Sequence, residues 1–345
     1  MTEIPIVDIG PLFSADSAAR AMADAAIAEA AFDIGFMVVT GHPPDLRVGP
    51  AERAILLKLF DLPMMVQRPL WKRNFAPENP HIYRGWFPLS SSAARNREGF
   101  EIGPDIVRDL PNEADDLLYE VTPLPDPAEL PEGWVETARA YYLGMEDIGH
   151  HILASLSRSL CVDEHLFRDA FDDGISTLRL LHYPKRPDDE PAVEDVPERF
   201  IEYDGRRFEQ VARAHVDSGL LTVLAQCGVG GLQARDANGD WIAVPVRDDG
   251  FAINFGGLLE RWTGGRIKAT AHRVLAQGEK RYSVPFFFEP RPSARIAPLP
   301  IPGIKPFVPF LYGDHMWATT TKFPENFGLA DLRPPRAPYA DPMAG

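Results

Sequence analysis

Near Thr177 the hydrophobic period of this chain changes. Before it, apolar residues recur three or four apart. Trp134, Ala138, Tyr141, Met145, Ile148, Ile152, Leu156 and Leu160 form one stripe, which predicts a long amphipathic helix from Trp134 to Leu160. Ser17 to Phe32 is Ala-rich, with Ser14, Asp16 or Ser17 available as a cap, and Ala51 to Phe60 reads as a second helix. Asp163 caps a short helix through Phe171, ended by Gly174. After Thr177 the texture is short runs of branched and aromatic residues divided by turn chemistry. Strands are expected at Thr177 to Tyr183, Arg207 to His215, Leu220 to Gln226, Leu232 to Arg235, Trp241 to Val244, Phe251 to Phe255, Ala271 to Leu275 and Tyr282 to Phe288. Asp204-Gly205 and Asp236-Ala237-Asn238-Gly239 are hairpin turns. A helical half followed by many short strands predicts an α+β fold, a sandwich or barrel with helices packed on one side. We read residues 1–345 as a single domain, with 1–176 mainly helical, 177–290 the β core and 291–345 a C-terminal extension.

Composition narrows the function. No stretch approaches the roughly 20 apolar residues of a membrane span, and MTEIPIVDIGPLF lacks a basic start and a long apolar run, so a cytoplasmic protein without a membrane partner is expected. Two cysteines, Cys161 and Cys227, are too few for a disulfide framework and supply no CxxC pair. The net charge of −15 repels polyanions, so nucleic acid is not expected as a partner; oligomeric state is not readable. The acidic, Pro-containing loop from Pro184 to Glu198 is expected to act as a mobile lid.

Chemistry concentrates in Arg213-Ala214-His215-Val216-Asp217-Ser218-Gly219. Residues i and i+2 of a strand share a face, so the imidazole of His215 and the carboxylate of Asp217 can reach one ion. Alone the pair is weak evidence, because 9 His and 50 acidic residues in 345 supply about one His-x-acid pair by chance. His272, on the strand-like Ala271-His272-Arg273-Val274, completes two His and one carboxylate, the facial triad of non-haem iron sites. A structural zinc site would take a fourth protein ligand, and the helical HExxH of many catalytic zinc sites is absent. Arg281 and Ser283 follow on one face of the last strand, a guanidinium and a hydroxyl suited to a buried carboxylate.

These words, with Ile4-Pro5-Ile6-Val7-Asp8, Gly35-Phe36-Met37-Val38-Val39-Thr40-Gly41-His42, Tyr83-Arg84-Gly85-Trp86 and Glu98-Gly99-Phe100, resemble the isopenicillin N synthase-like family of iron(II)- and 2-oxoglutarate-dependent dioxygenases over nearly the whole chain. The resemblance implies a double-stranded β-helix, a jelly-roll barrel with the metal at its mouth. It implies Fe(II) held by His215, Asp217 and His272, and 2-oxoglutarate as cosubstrate bound by Arg281 and Ser283. The reaction implied is oxidation of a C–H bond of a small-molecule substrate by dioxygen, with release of succinate and carbon dioxide. Alternatives are an iron-dependent oxidase of the same family that does not use 2-oxoglutarate, and a non-catalytic ligand-binding relative.

The chain departs from the family pattern in two places. Arg179-Leu180-Leu181-His182-Tyr183-Pro184 stands where many members have Arg-x-Asn-x-Tyr-Pro, which removes an amide contact and leaves Tyr183 as the cosubstrate residue there. Gly257 replaces an Asp common in relatives, a change expected to affect a turn more than the reaction. Tyr83, Arg84 and Trp86 are substrate-contact candidates by the same resemblance, and His182 is a candidate for the barrel mouth. His150 and His151 read as packing or surface residues of the long helix. Phe286, Phe287 and Phe288 read as core, with one alternate face lining the pocket beyond Ser283.

Overall fold

In the computed structural model, residues 3–89, 97–111, 116–163, 165–185 and 200–340 are described. The strands are β1 (Ile6–Asp8), β2 (Phe36–Thr40), β3 (Gly85–Phe87), β4 (Glu98–Ile102), β5 (Thr177–Tyr183), β6 (Phe200–Tyr203), β7 (Arg206–His215), β8 (Leu221–Ala225), β9 (Leu232–Arg235), β10 (Trp241–Ala243), β11 (Gly250–Phe255), β12 (His272–Leu275) and β13 (Arg281–Phe288). They form an eight-stranded sheet in the order β1-β2-β11-β8-β13-β5-β4-β3 and a five-stranded sheet in the order β10-β9-β12-β7-β6. All the pairings are antiparallel except β1 with β2. The fold is a jelly roll with helices against the larger sheet.

Alternation along the strands separates two layers of core. Phe251, Ile253 and Phe255 of β11, with Val284, Phe286 and Phe288 of β13, join the large cluster under the helices. Ala252, with Phe36 and Val38 of β2, belongs instead to a smaller cluster shared with Leu232, Ala234 and Val274 of the second sheet. Helix Trp134–Ser159 supplies most of the helical layer, burying the stripe that its sequence spacing marks out. Tyr142 meets Phe286 edge-on at 5.0 Å, and His150 meets Phe288 at 4.9 Å, while His151 stacks on Phe13 at 4.0 Å. Both histidines pack, as expected. Helix Ser17–Asp33 begins at Asp16, whose carboxylate accepts from the amides of Ala18 and Ala19.

The helical reading of the first half omits strands. β1 to β4 all come from residues before Thr177 and make half of the larger sheet. Of these, the sequence marks only the first, through its resemblance to an opening strand. The others escape for a physical reason: β3 and β4 are buried at every position and β2 at four of five, so no polar face alternates with an apolar one. β6 was also unmarked, yet its turn was not: Asp204 and Gly205 take φ values of 50° and 68° and join β6 to β7. The expected lid falls largely on residues 186–199, outside the described residues. Among the described residues no helix is long and apolar enough to cross a membrane.

The C-terminal extension folds back on the sheet. Arg333, buried, pairs with Asp116 at 2.6 Å and with Asp314 at 2.9 Å, and His315 lies 3.1 Å from the Ser218 carbonyl. This brings helix Tyr312–Thr320 beside the residue that follows Asp217.

Candidate metal centre and substrate cavity

His215 closes β7, His272 opens β12, and the register of these strands sets the two residues directly opposite each other. Their rings are 4.3 Å apart between centroids. Asp217 lies just past the end of β7, and its Oδ1 is 3.6 Å from His215 Nε2 and 3.7 Å from His272 Nε2. One ligand atom from each residue falls within 4.8 Å of the others, a spacing that a single ion spans. The Nδ1 atoms face main-chain carbonyls, Arg213 at 2.7 Å for His215 and Thr270 at 3.2 Å for His272. A carbonyl only accepts, so Nδ1 carries the proton and each Nε2 keeps its lone pair for a metal.

Charge is arranged to match. Burial lowers the pKa of His215, and His272 beside it lowers it further, which favours the neutral, ligating imidazole. Burial pushes the Asp217 carboxyl up, but His272, His215 and hydrogen bonds from Asn254 and Thr222 outweigh it and hold it below its usual value. Thr222 Oγ1 and Asn254 Nδ2 both donate to Asp217 Oδ2 at 2.7 Å, which fixes the carboxylate and leaves Oδ1 turned toward the imidazoles.

Arg281 opens β13 opposite Tyr183. Its Nε donates to the carbonyls of Val229 and Gly230 at 3.3 and 3.2 Å, and its guanidinium lies over the Tyr183 ring at 4.9 Å. Its Nη1 is buried and has no hydrogen-bond partner in the protein. An orphaned donor of this kind costs about 1–3 kcal/mol, so it calls for an acceptor from a ligand. Burial raises the pKa of the Tyr183 hydroxyl, but Arg281 and Arg97 outweigh that and lower it.

A cavity opens beside His215 and Asp217, walled by Tyr83, Arg179, Phe287, Glu289, Met316 and Phe323. Of the candidates on the Tyr83 segment, only Tyr83 reaches it. Arg84 is fully buried, bonding to Thr177 and the Ile175 carbonyl, and Trp86 is a core residue whose indole donates to Glu98. His182 does not face the barrel mouth: strand alternation sends it to the helical side, where it stacks on Tyr282 at 4.8 Å and bonds to Glu98. Phe287 lines the cavity while Phe286 and Phe288 do not.

Residues 174–290 match the model of the 2OG-Fe(II) oxygenase superfamily, and residues 4–127 match that of the non-haem dioxygenase in morphine synthesis N-terminal region. The 2-oxoglutarate-Fe(II) type oxidoreductase hxnY of Emericella nidulans is 31% identical over 298 residues, covering 84% of this chain and 80% of its own length. The chain belongs to the 2OG-Fe(II) oxygenase superfamily. Isopenicillin N synthase of Streptomyces clavuligerus is 28% identical, over 91% of this chain and 93% of its own. A Neurospora crassa protein solved in complex with alpha-KG and thymine has the same fold, with a TM-score of 0.74 at 23% identity, covering 93% of this chain and 97% of that one.

The protein is thus a dioxygenase that uses Fe(II) and 2-oxoglutarate, and its own residues fit both. Two neutral imidazoles and a carboxylate are the donor set of non-haem Fe(II) sites. The orphaned Arg281 Nη1 suits a carboxylate.

Sequence reasoning missed the support of this oxygenase's Asp217. Asn254 is a polar side chain in the otherwise apolar run Phe251-Ala252-Ile253-Asn254-Phe255, and a buried amide needs a partner. That was the available signal. Gly257 does more than shape a turn, because its amide donates to the Asp217 carbonyl at 2.7 Å. Gly256 permits this approach: a Cβ there would stand 2.2 Å from the Gly219 carbonyl oxygen. Asn254→Ala should therefore weaken iron binding by roughly 10–100-fold while the fold persists, as is usual for an outer partner of a metal ligand. Competitive chelator titration of wild type and variant checks this; equal affinities would show that Thr222 alone orients the carboxylate.

Proposed function

We propose that this oxygenase hydroxylates a C–H bond of a small molecule, acting as one domain over residues 1–345. In this reading His215, Asp217 and His272 hold the iron, and Arg281, Ser283 and Tyr183 hold the far carboxylate of 2-oxoglutarate. The observation that carries it is the pairing of a metal-spaced triad with a buried guanidinium nitrogen that lacks an acceptor. Bound iron with 2-oxoglutarate and dioxygen supplies an oxidant able to break a C–H bond, the cosubstrate leaving as succinate and carbon dioxide. His215 and His272 offer Nε2 lone pairs, and Thr222 and Asn254 keep Asp217 from rotating. Arg281 fixes the reach of the cosubstrate, because Val229 and Gly230 immobilise its Nε. Phe287, Met316 and Phe323 exclude water from the substrate's side of the metal. A small-molecule substrate agrees with the thymine complex of the Neurospora protein.

The test is a screen of small molecules scored for succinate release and for a product heavier by one oxygen atom. Products lacking that oxygen, formed with full succinate release, would replace hydroxylation by desaturation or ring closure.

A further inference from the structure

β13 carries chemistry at both ends. Its barrel-facing residues run from Arg281 through Ser283 and Phe287, and the next position on that face is Glu289. Eight residues of strand separate Arg281 from Glu289 by about 26 Å, so Glu289 lies far from the guanidinium proposed to hold the cosubstrate's distal carboxylate. It instead lines the cavity beside His215 and Asp217, at 4% exposure. Its Oε2 is buried with no hydrogen-bond partner. The main chain holds it in place, since its amide donates to Ser176 Oγ at 3.1 Å. Gly219 makes room for it: a Cβ there would stand 2.8 Å from Glu289 Oε1. Nothing in the metal or cosubstrate chemistry uses this group.

The neighbours define what it can meet. Arg179 binds Glu101 through Nε at 2.8 Å, and its guanidinium lies over the Phe287 ring at 4.8 Å, giving the cavity one flat wall with donors at its edge. The other cation of the lining, Arg97, faces Glu325 at 3.6 Å. Lys72, fully buried, also pairs with Glu101. The lining cations thus already have carboxylates, and a carboxylate substrate would be placed among Glu101, Glu289 and Glu325. An ammonium substrate would face Arg179, Arg97 and the charge of Arg84, which acts on Glu289. Neither sign of charge is welcome.

Resting on the hydroxylase reading above, we propose that Glu289 is a substrate-binding residue and that the substrate class is neutral, planar molecules with an N–H beside a C=O, such as cyclic amides and ureides. The N–H meets Glu289 Oε2 and the carbonyl accepts from Arg179, while the ring lies along Phe287. Burial pushes the Glu289 carboxyl up to about 7, with Tyr312 and Arg84 opposing that rise. An N–H beside a C=O satisfies the carboxyl in either form, accepting from the acid or donating to the carboxylate.

The experiment is equilibrium dialysis of the Fe(II) holoenzyme with 2-oxoglutarate under argon against uracil, hydantoin and 2-pyridone, with benzoate and benzylamine as charged probes. The charge-transfer absorption of the iron-bound keto acid is recorded in every sample. The expected result is saturable binding of at least one neutral probe and of neither charged one. Glu289→Leu and Glu289→Asp should weaken that binding roughly tenfold or more, with the absorption band unchanged, and Glu289→Gln should restore most of it. If Glu289→Leu does not fold, Glu289→Asp decides. A charged probe that binds as well as the neutral ones, no binding of any neutral probe, or equal affinity in wild type, Glu289→Leu and Glu289→Asp overturns the proposal. A missing absorption band instead counts against the hydroxylase reading itself.

Discussion

His272→Ala should yield a folded protein that binds iron far more weakly than wild type and no longer converts 2-oxoglutarate. The loss should exceed the roughly 10–100-fold typical of an outer partner such as Asn254, because in the proposed site His272 is a direct ligand. The fold should survive, since His272 sits at the first position of β12 and the strand's apolar contacts come from Val274 and Leu275. Removing the imidazole also takes away a group that lowers the pKa of both His215 and Asp217. The Asp217 carboxyl should then titrate higher, and the Asp217 contribution to iron binding should fade at a less acid pH than in wild type. Metal analysis after anaerobic reconstitution, with circular dichroism as the control for folding, measures this. Unchanged iron stoichiometry and affinity would remove His272 from the site.

Arg281→Ala should cost on the order of 3 kcal/mol in 2-oxoglutarate binding, about a hundredfold, because it leaves a buried carboxylate without its cation. Arg281→Lys should recover only part of this. A lysine keeps the charge but cannot bond to the carbonyls of Val229 and Gly230 while also presenting a planar fork to the ligand. Iron affinity should be nearly unchanged in both variants, since Arg281 contacts none of the triad. Keto acids without a distal carboxylate, such as pyruvate, should gain relative to 2-oxoglutarate in the alanine variant. Equal 2-oxoglutarate affinity in all three proteins would transfer the carboxylate to other residues and favour an oxidase that works without it.

The parts of this molecule that could be read from its sequence share a physical trait. Helix Trp134–Ser159 buries one stripe against a sheet, so its period is written in its residues. β5 and β9 were placed to the residue, bounded by turns or polar segments. The triad was legible because rare residue types recur in a fixed order, and the β7 to β12 register then brings His215 and His272 together. What stayed hidden is buried on both sides or comes from far along the chain. β2, β3 and β4 show no alternation, and Arg333, Asp116 and Asp314 form a buried cluster that no local pattern announces. In the sequence Glu289 is one acid among 50, and only its burial and the unpartnered Oε2 single it out.

The most direct test of the account admits oxygen to the Fe(II) protein with 2-oxoglutarate and counts succinate against keto acid consumed, in wild type and in Asp217→Ala. Wild type should release one succinate for each 2-oxoglutarate lost, and Asp217→Ala should release almost none. Oxygen uptake by wild type without succinate, or equal succinate from both proteins, would contradict it.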